Sequence, residues 1–248
     1  MKNDLGNRMK DQYESRTRHK LMRRCPTIIR LDGKAFHTYT RGLNKPYDLD
    51  FVRDMQQAAI YLCEEIQGVK CAYVQSDEIS LLLTDYTTIN TQAWFDYNIQ
   101  KICSVSASYA TAKFNQLRLF RDYLYQIDLE NQKLAQFDSR VFQIADHEEV
   151  VNYFIWRQHD AIRNSIQMLA RSLYSHKELE YKSSNELQEL CFQKGVNWNN
   201  YHSNLKRGSY ISKEYDPVTG FNWNIFGVTP EFTKNREIIL DLLKVEDE

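Results

Sequence analysis

The sequence is poor in the residues that interrupt regular structure, with eight glycines and four prolines among 248 residues. That scarcity excludes a collagen-like repeat and a low-complexity disordered chain. No uninterrupted apolar run approaches the roughly 20 residues that a membrane span needs, so no membrane partner is expected. The opening Met1-Lys2-Asn3-Asp4-Leu5 is polar and lacks the apolar core of a secretory signal. The five cysteines (Cys25, Cys63, Cys71, Cys103 and Cys191) form no C-x-x-C pair and no zinc spacing. They read as buried free thiols in a reducing, cytoplasmic setting. The six histidines are scattered, so any metal chemistry must use carboxylates. A surplus of one charge is missing too: 32 Lys and Arg stand against 33 Asp and Glu, for a formal −1. A histone-like polycation is excluded.

Aromatic residues are plentiful, at 13% with 16 Tyr and 12 Phe, which suits a packed globule with stacking surfaces. The length suffices for one large domain or a core domain with an appendage. The balanced total charge hides an uneven distribution. Residues 1–30 hold nine basic side chains (Lys2, Arg8, Lys10, Arg16, Arg18, Lys20, Arg23, Arg24 and Arg30) against three acidic ones. Such a basic end either grips phosphates or forms a solvated helix face.

The order of elements follows from hydrophobic periodicity. A polar helix is expected over Leu5–Lys20. Pro26–Leu31 reads as a buried strand ending at Asp32-Gly33. Phe51, Met55, Ala58, Leu62 and Ile66 mark one face of a helix, with Asp48 or Asp50 as its cap and Gly68 as its stop. Cys71–Gln75 and Ile79–Leu83 form a hairpin whose turn, Ser76-Asp77-Glu78, lacks Gly. A long helix follows with Phe95, Ile99, Ile102 and Ser106 on one face, and its small residues from Ser104 to Ala112 suit close packing on a sheet. Arg140–Ile144 supplies a fourth strand. Strand, helix, strand, strand, helix, strand is the ferredoxin-like βαββαβ arrangement, an α+β fold with an antiparallel sheet and helices on one face. Beyond it the pattern predicts helices over Glu148–Trp156, Asp160–Tyr174 and Asn185–Lys194. A small hairpin is expected from Arg207–Ser212 and Phe221–Phe226 around Asp216-Pro217. The expected organisation is a catalytic domain over residues 1–146, with a mainly helical region over 147–248 packed on it. The acidic tail Glu246-Asp247-Glu248 reads as frayed, and Phe154 and Trp156 read as core.

In that arrangement strands one and three are adjacent, so Asp32 and the turn acids Asp77 and Glu78 meet at one edge of the sheet. Like charges so placed are costly unless a cation neutralises them. Mg²⁺ fits, because it prefers hard oxygen ligands and retains positions for phosphates. Gly33 lets a backbone carbonyl approach a metal or phosphate. The alternative for each segment alone is an ordinary turn.

With these residues in place, a resemblance emerges. Ile29-Arg30-Leu31-Asp32-Gly33-Lys34-Ala35-Phe36-His37 resembles the R-L-D-G-x-x-F-H signature of the tRNA(His) guanylyltransferase family. Asn44–Asp48 is similar to its K-P-x-D loop, and Tyr73–Ser80 to its Q-S-D-E-x-S hairpin. Phe137–Val141 is similar to its F-D-x-R strand, Trp156-Arg157-Gln158 with Asp160 to its W-R-Q-x-D helix, and Arg207-Gly208 to its late R/K-G. The matches keep family order from about residue 25 to 210.

The resemblance implies a polymerase-palm-like core and a nucleotidyltransferase that adds nucleotides to the 5′ end of tRNA, in the 3′-to-5′ direction. It implies that Asp32, the Gly33 backbone and Asp77 hold two Mg²⁺, with Glu78 orienting the metal shell. Asp32, Gly33, Lys34, Ala35, Phe36, His37, Lys45, Ser76, Asp77 and Asn164 become the candidate nucleotide contacts. ATP, GTP and other triphosphates are the implied substrates. Arg30, Arg157 and Arg163 are the candidate RNA contacts, although Arg157 and Arg163, six apart, do not share one helical face and have Asp160 and Glu148 as alternative partners. A homo-oligomer, dimer or tetramer, is also implied.

One departure bears on the reaction. Where eukaryotic members carry H-I-N-N-L-Y, this chain has Ile162-Arg163-Asn164-Ser165-Ile166-Gln167, keeping only the first Asn. The departure points to the guanylyltransferase-like branch and templated repair of 5′-truncated tRNA, rather than untemplated G addition to tRNA(His). A palm-type nucleotide cyclase and a non-catalytic tRNA-binding module are the remaining alternatives. The module fits poorly, since uncompensated acids repel RNA phosphates.

Overall fold

In the computed structural model, which describes residues 4–126 and 133–245, the chain opens with helix α1 (Asp4–Gln12). The helix is shorter than the expected Leu5–Lys20. Tyr13 leaves the helical region at φ −126°, and Glu14–Thr17 adds a single 3-10 turn. His19–Leu21 then pairs with an incoming segment instead: the Leu21 N–H donates to the Tyr97 carbonyl at 3.1 Å and the Ile99 N–H to that of His19 at 3.0 Å. Part of the basic run is internally neutralised, with Arg18 on Glu14, Lys20 on Asp96 and Arg23 on the buried Asp85.

Strand β1 (Thr27–Gly33) is followed by a one-turn helix α2 (Phe36–Tyr39) and by α3 (Leu49–Glu65). Asp48 is the cap of α3. One carboxylate oxygen accepts from the Phe51 N–H at 2.8 Å and the other from the Asn44 N–H at 3.1 Å, a contribution of about 1 kcal/mol for such a cap. Strands β2 (Val69–Gln75) and β3 (Glu78–Leu83) form the expected hairpin. Helix α4 (Ile99–Leu124) begins later than the apolar spacing suggests. Phe95, Asp96 and Tyr97 all have positive φ, and Asn98 caps the helix, so Phe95 lies in the turn before it. The small stretch behaves as expected: Ser106 and Ala110 are buried, and Ser106 Oγ lies 2.8 Å from Ser139 Oγ on β4 (Phe137–Gln143).

The predicted helices Glu148–Trp156 and Asp160–Tyr174 are one helix, α5 (His147–Leu173). The apolar pattern lapses at Arg157-Gln158-His159, but no Pro or Gly intervenes, and Arg157 and Gln158 are buried with partners. Gln158 spans the C-terminal segment, donating to the Pro230 carbonyl at 2.8 Å and accepting from the Phe232 N–H at 3.0 Å. The remainder is α6 (His176–Leu179), α7 (Ser184–Gln193), α8 (Ser203–Arg207), the hairpin β5 (Ser209–Asp216) and β6 (Gly220–Ile225), and α9 (Glu237–Leu240). The acidic tail lies outside the described residues. No helix among the described residues is long and apolar enough to cross a membrane.

The six strands form one antiparallel sheet in the order β4-β1-β3-β2-β5-β6. The first four strands keep the ferredoxin-like order, and the late hairpin extends the sheet because β5 pairs with β2. Ile29, Leu31, Ile79 and Leu81 face α3 and α4, whose Met55, Ala58, Leu62, Ile102 and Phe114 complete that core. Helices on one face alone would leave the alternate residues Ile28, Tyr73 and Leu82 bare. They are covered by Val150, Val151 and Phe154 of α5 and by Phe232, Ile239 and Leu243. Burying each such side chain contributes about 1.5–3 kcal/mol. Both faces of the sheet are therefore covered. Cys25, Cys63, Cys71 and Cys191 are buried, Cys103 is half-buried, and all five are free.

Candidate active site

The end of β1 and the β2–β3 turn meet at one edge of the sheet. Asp32 stands directly opposite Glu78 on β3 and opposite Asp138 on β4. The turn is tight: Ser76 takes a left-handed φ of +49° with no glycine to ease it. Its second residue is tied back, since the Gly33 N–H donates to the Asp77 carbonyl at 3.1 Å. One backbone bond thus fixes the two halves of the candidate site to each other. Gly33 is also required sterically. A Cβ there would lie 2.3 Å from the Phe36 ring, and that ring is packed among Tyr39, Phe51, Phe114 and Phe137.

Burial, then Asp32 and Glu78, push the Asp77 carboxyl up to about 6. An acid so destabilised in its charged form is a position where a cation relieves repulsion. Asp32 remains partly open, with 34% of its side chain exposed. Among the described residues no group of three or more Asp, Glu, His or Cys forms a closed metal cage. Two carboxylates and an adjacent glycine backbone are instead an open oxygen donor set. It fits Mg²⁺, which takes few protein ligands and completes its shell with water and phosphate.

Glu78 has a different place. Its Oε1 accepts from Arg157 Nε at 2.8 Å and from Gln75 Nε2 at 3.2 Å, and its Oε2 pairs with Arg30 Nη2 at 2.8 Å. Both oxygens are committed to guanidiniums inside the protein, so Glu78 acts through the residues that it holds. Arg157 in turn reaches Asp160 at 2.8 Å, and Asp160 also pairs with Arg163. Burial alone would lower the Arg157 pKa, but Glu78 and Asp160 outweigh it and raise the value. Arg157 is 4% exposed, which corrects its expected role: it cannot reach RNA phosphates. Arg163 keeps an exposed side chain and Arg30 a mostly covered one. The spacing of six residues between Arg157 and Arg163 is explained by Asp160, three from each.

Beside the turn lies a cleft lined by Tyr47, Asp48, Phe51, Ser76, Asn164 and Gly208. It adjoins a second hollow lined by Lys45, Asp48, Phe51, Ser76 and Arg171. The structure therefore brings Lys45, Ser76 and Asn164 together, although they are far apart in sequence. Lys34, Ala35 and His37 are exposed beyond β1, and Lys34 Nζ donates to Gln136 Oε1 at 3.0 Å. Phe36 is buried in the aromatic cluster and holds the loop rather than facing solvent. Asp48 lines the cleft as well as capping α3, and Arg140 lies 3.5 Å from Asp32. Neither was singled out for a site role from sequence, although each sits inside a quoted motif.

A family model described as tRNAHis guanylyltransferase matches residues 6–145 of the chain. A solved structure of a bacterial tRNA(His) guanylyltransferase-like protein in complex with ATP is 42% identical. It covers 98% of this chain and 100% of that one, at a TM-score of 0.88. Another of the same description, in complex with GTP, is 40% identical over the same shares at 0.83. The tRNA(His) guanylyltransferase of Saccharomyces cerevisiae is 27% identical over 217 residues, which is 82% of this chain and 88% of that one.

Proposed function

The chain belongs to the tRNAHis guanylyltransferase family of nucleotidyltransferases, and from that premise we propose that it adds nucleotides to the 5′ end of tRNA in the 3′-to-5′ direction, repairing truncated ends against the opposite strand. The observation that carries this reading is the bond from the Gly33 N–H to the Asp77 carbonyl, which sets Asp32 and Asp77 at one sheet edge. In the reaction, the 3′-hydroxyl oxygen of the incoming nucleotide bonds to the activated 5′ phosphorus of the RNA. The bond from that phosphorus to pyrophosphate, or to AMP after adenylylation by ATP, breaks, and the hydroxyl proton leaves to solvent. Asp32, Asp77 and the Gly33 backbone would hold two Mg²⁺, which supply phosphate neutralisation and a more acidic hydroxyl when bound.

The other roles belong to the chain itself. Lys45 meets triphosphate charge at the mouth of the cleft, and Ser76 and Asn164 line the pocket that receives the nucleotide. Arg30 and Arg157, both on Glu78, keep the start of β3 and its turn in register with β1. A site pre-set in this way avoids reorganisation during the reaction.

Templated repair is supported by Ile162–Gln167, which keeps only Asn164 of the eukaryotic pattern. It is supported also by the higher identity to the bacterial guanylyltransferase-like protein than to the yeast enzyme. The test offers a tRNA lacking its first nucleotides together with all four triphosphates and reads the new 5′ sequence. Growth that matches the opposite strand is expected. Addition of G whatever the opposing base would replace this reading with untemplated guanylylation.

A further inference from the structure

Trp156 leaves 54% of its surface in solvent, while its neighbours Phe154 and Arg157 are 0% and 4% exposed. The ring is held in place all the same. The Arg157 guanidinium lies 4.2 Å from its centroid and that of Arg30 lies 5.9 Å away, with Tyr153 edge-on at 6.0 Å. The Arg30 group that touches this ring also reaches Glu78 at 2.8 Å and Asp32 at 4.0 Å. The exposed indole is thus one guanidinium away from the first carboxylate of the site.

Arg140 completes the surface. It stands directly opposite Arg30 on β4, the edge strand, with 53% of its side chain exposed and Asp32 at 3.5 Å. Like charges facing each other on neighbouring strands are unfavourable, and Asp32 is the anion that the two arginines share. Arg30 is further committed to the buried Glu78, whereas Arg140 is paired with the exposed Asp138 at 3.2 Å and is the more accessible of the two cations to an arriving anion. Along this face a flat aromatic, an inner cation, an acid and an outer cation follow one another. Asn164 of the nucleotide cleft lies eight residues further along α5, about 12 Å by helix rise. A second substrate therefore has its own approach to Asp32, from the β4 side.

We propose that Trp156 is the stacking platform for the 5′-terminal base of the RNA acceptor, with Arg140 contacting a phosphate of the same strand. The proposal rests on the reading of this site as one that acts on RNA 5′ ends. Stacking on an aromatic face is tolerant of base identity. That tolerance suits an acceptor whose terminal base changes with every nucleotide added.

The test compares the binding of two 5′-truncated tRNAs, one intact and one with an abasic ribose at its 5′ terminus, without triphosphates. Wild type should bind the intact acceptor more tightly, by roughly tenfold or more for one stacked base. Trp156→Ala should bind both alike, at the wild-type affinity for the abasic acceptor, and Trp156→Phe should keep part of the preference. Arg140→Gln should weaken both acceptors together and flatten the logarithmic salt dependence by about one phosphate contact. A preference that survives in Trp156→Ala, or is missing from wild type, overturns the proposal. Equal weakening of both acceptors by Trp156→Ala also overturns it, since that is the result of a structural role through Arg157. Binding is read without turnover, so absence of nucleotide addition would count against the proposed function and leave this test intact.

Discussion

Glu78 and Arg157 meet at 2.8 Å on the α5 side of the sheet, each about 95% enclosed, in the middle of a chain of pairs that runs from Arg30 through both of them to Asp160. A buried pair of this kind is costly to break from one side, by about 3–5 kcal/mol, because the surviving charge is stranded. Arg157→Ala should therefore lose stability on that scale in urea denaturation. Glu78→Gln takes a partner from two cations at once, leaving Arg157 with Asp160 and Arg30 with Asp32 at 4.0 Å, and should lose at least as much. The double variant should lose less than the two single losses added together, with a coupling on the order of 0.5–3 kcal/mol.

The Asp77 carboxyl, pushed up to about 6, ties stability to pH. The folded state favours the protonated form. The contribution of this group is therefore complete below the ordinary carboxylate value near 4 and is lost as pH rises through about 6. Asp77→Asn stays neutral throughout and should melt higher than wild type at pH 7.5, with the difference closing towards pH 4. Each kcal/mol corresponds to roughly 2–4 °C in a chain of this size. Added Mg²⁺ should raise the wild-type Tm at pH 7.5 more than at pH 5, and should leave Asp77→Asn nearly unmoved. Thermal melts with and without MgCl₂ at the two pH values check both statements.

Asp32→Ala separates chemistry from folding. The side chain is one-third exposed and shares an edge with Asp77 and Glu78, so its removal relieves repulsion while leaving Arg30 and Arg140 without their shared anion. The expected result is a cooperative melt close to wild type, with nucleotide addition at background. Retained addition would remove Asp32 from the metal-holding pair.

Gly33→Ala places a methyl group 2.3 Å from the Phe36 ring. Overpacking of this sort costs about 1–3 kcal/mol, and the ring has little room to move among four other aromatic residues. Phe36→Ala empties the same contact from the other side and should cost about 3–5 kcal/mol. The double variant should recover part of the first loss, measured by the urea midpoint.

The first half of the molecule was well marked in the sequence. β-branched runs bounded by Asp32-Gly33 and Ser76-Asp77 identify strands and turns without knowledge of their partners, and the ferredoxin-like order then brings the acids together. The misreadings have a shared cause. Arg157 and Gln158 interrupt an apolar period because they are buried polar residues, and their partners Glu78, Pro230 and Phe232 are more than 70 residues away. Phe95 matches the spacing of α4 but falls in a turn with positive φ that only the pairing with His19–Leu21 explains. Trp156, expected in the core, is exposed, and its ring meets the guanidiniums of Arg30 and Arg157, a pairing that apolar spacing does not reveal. Lys45, Ser76 and Asn164 follow from the resemblance alone, and the two adjoining hollows that they line exist only after α3 and α5 have packed.

The pairing of β5 with β2, from Cys71 opposite Ser212 to Val74 opposite Ser209, has a consequence for the life of the protein outside its reaction. β2 leads directly into the Ser76-Asp77 turn, and without β5 it would be the outermost strand, flat and apolar, with Ala72, Tyr73 and Val74 all buried. A bare strand of that character is a template for neighbouring chains. Proteolysis or early termination ahead of residue 209 would thus turn the strand that presents Asp77 into a nucleus for aggregation, and would strip Phe232, Ile239 and Leu243 from the second face of the sheet at the same time.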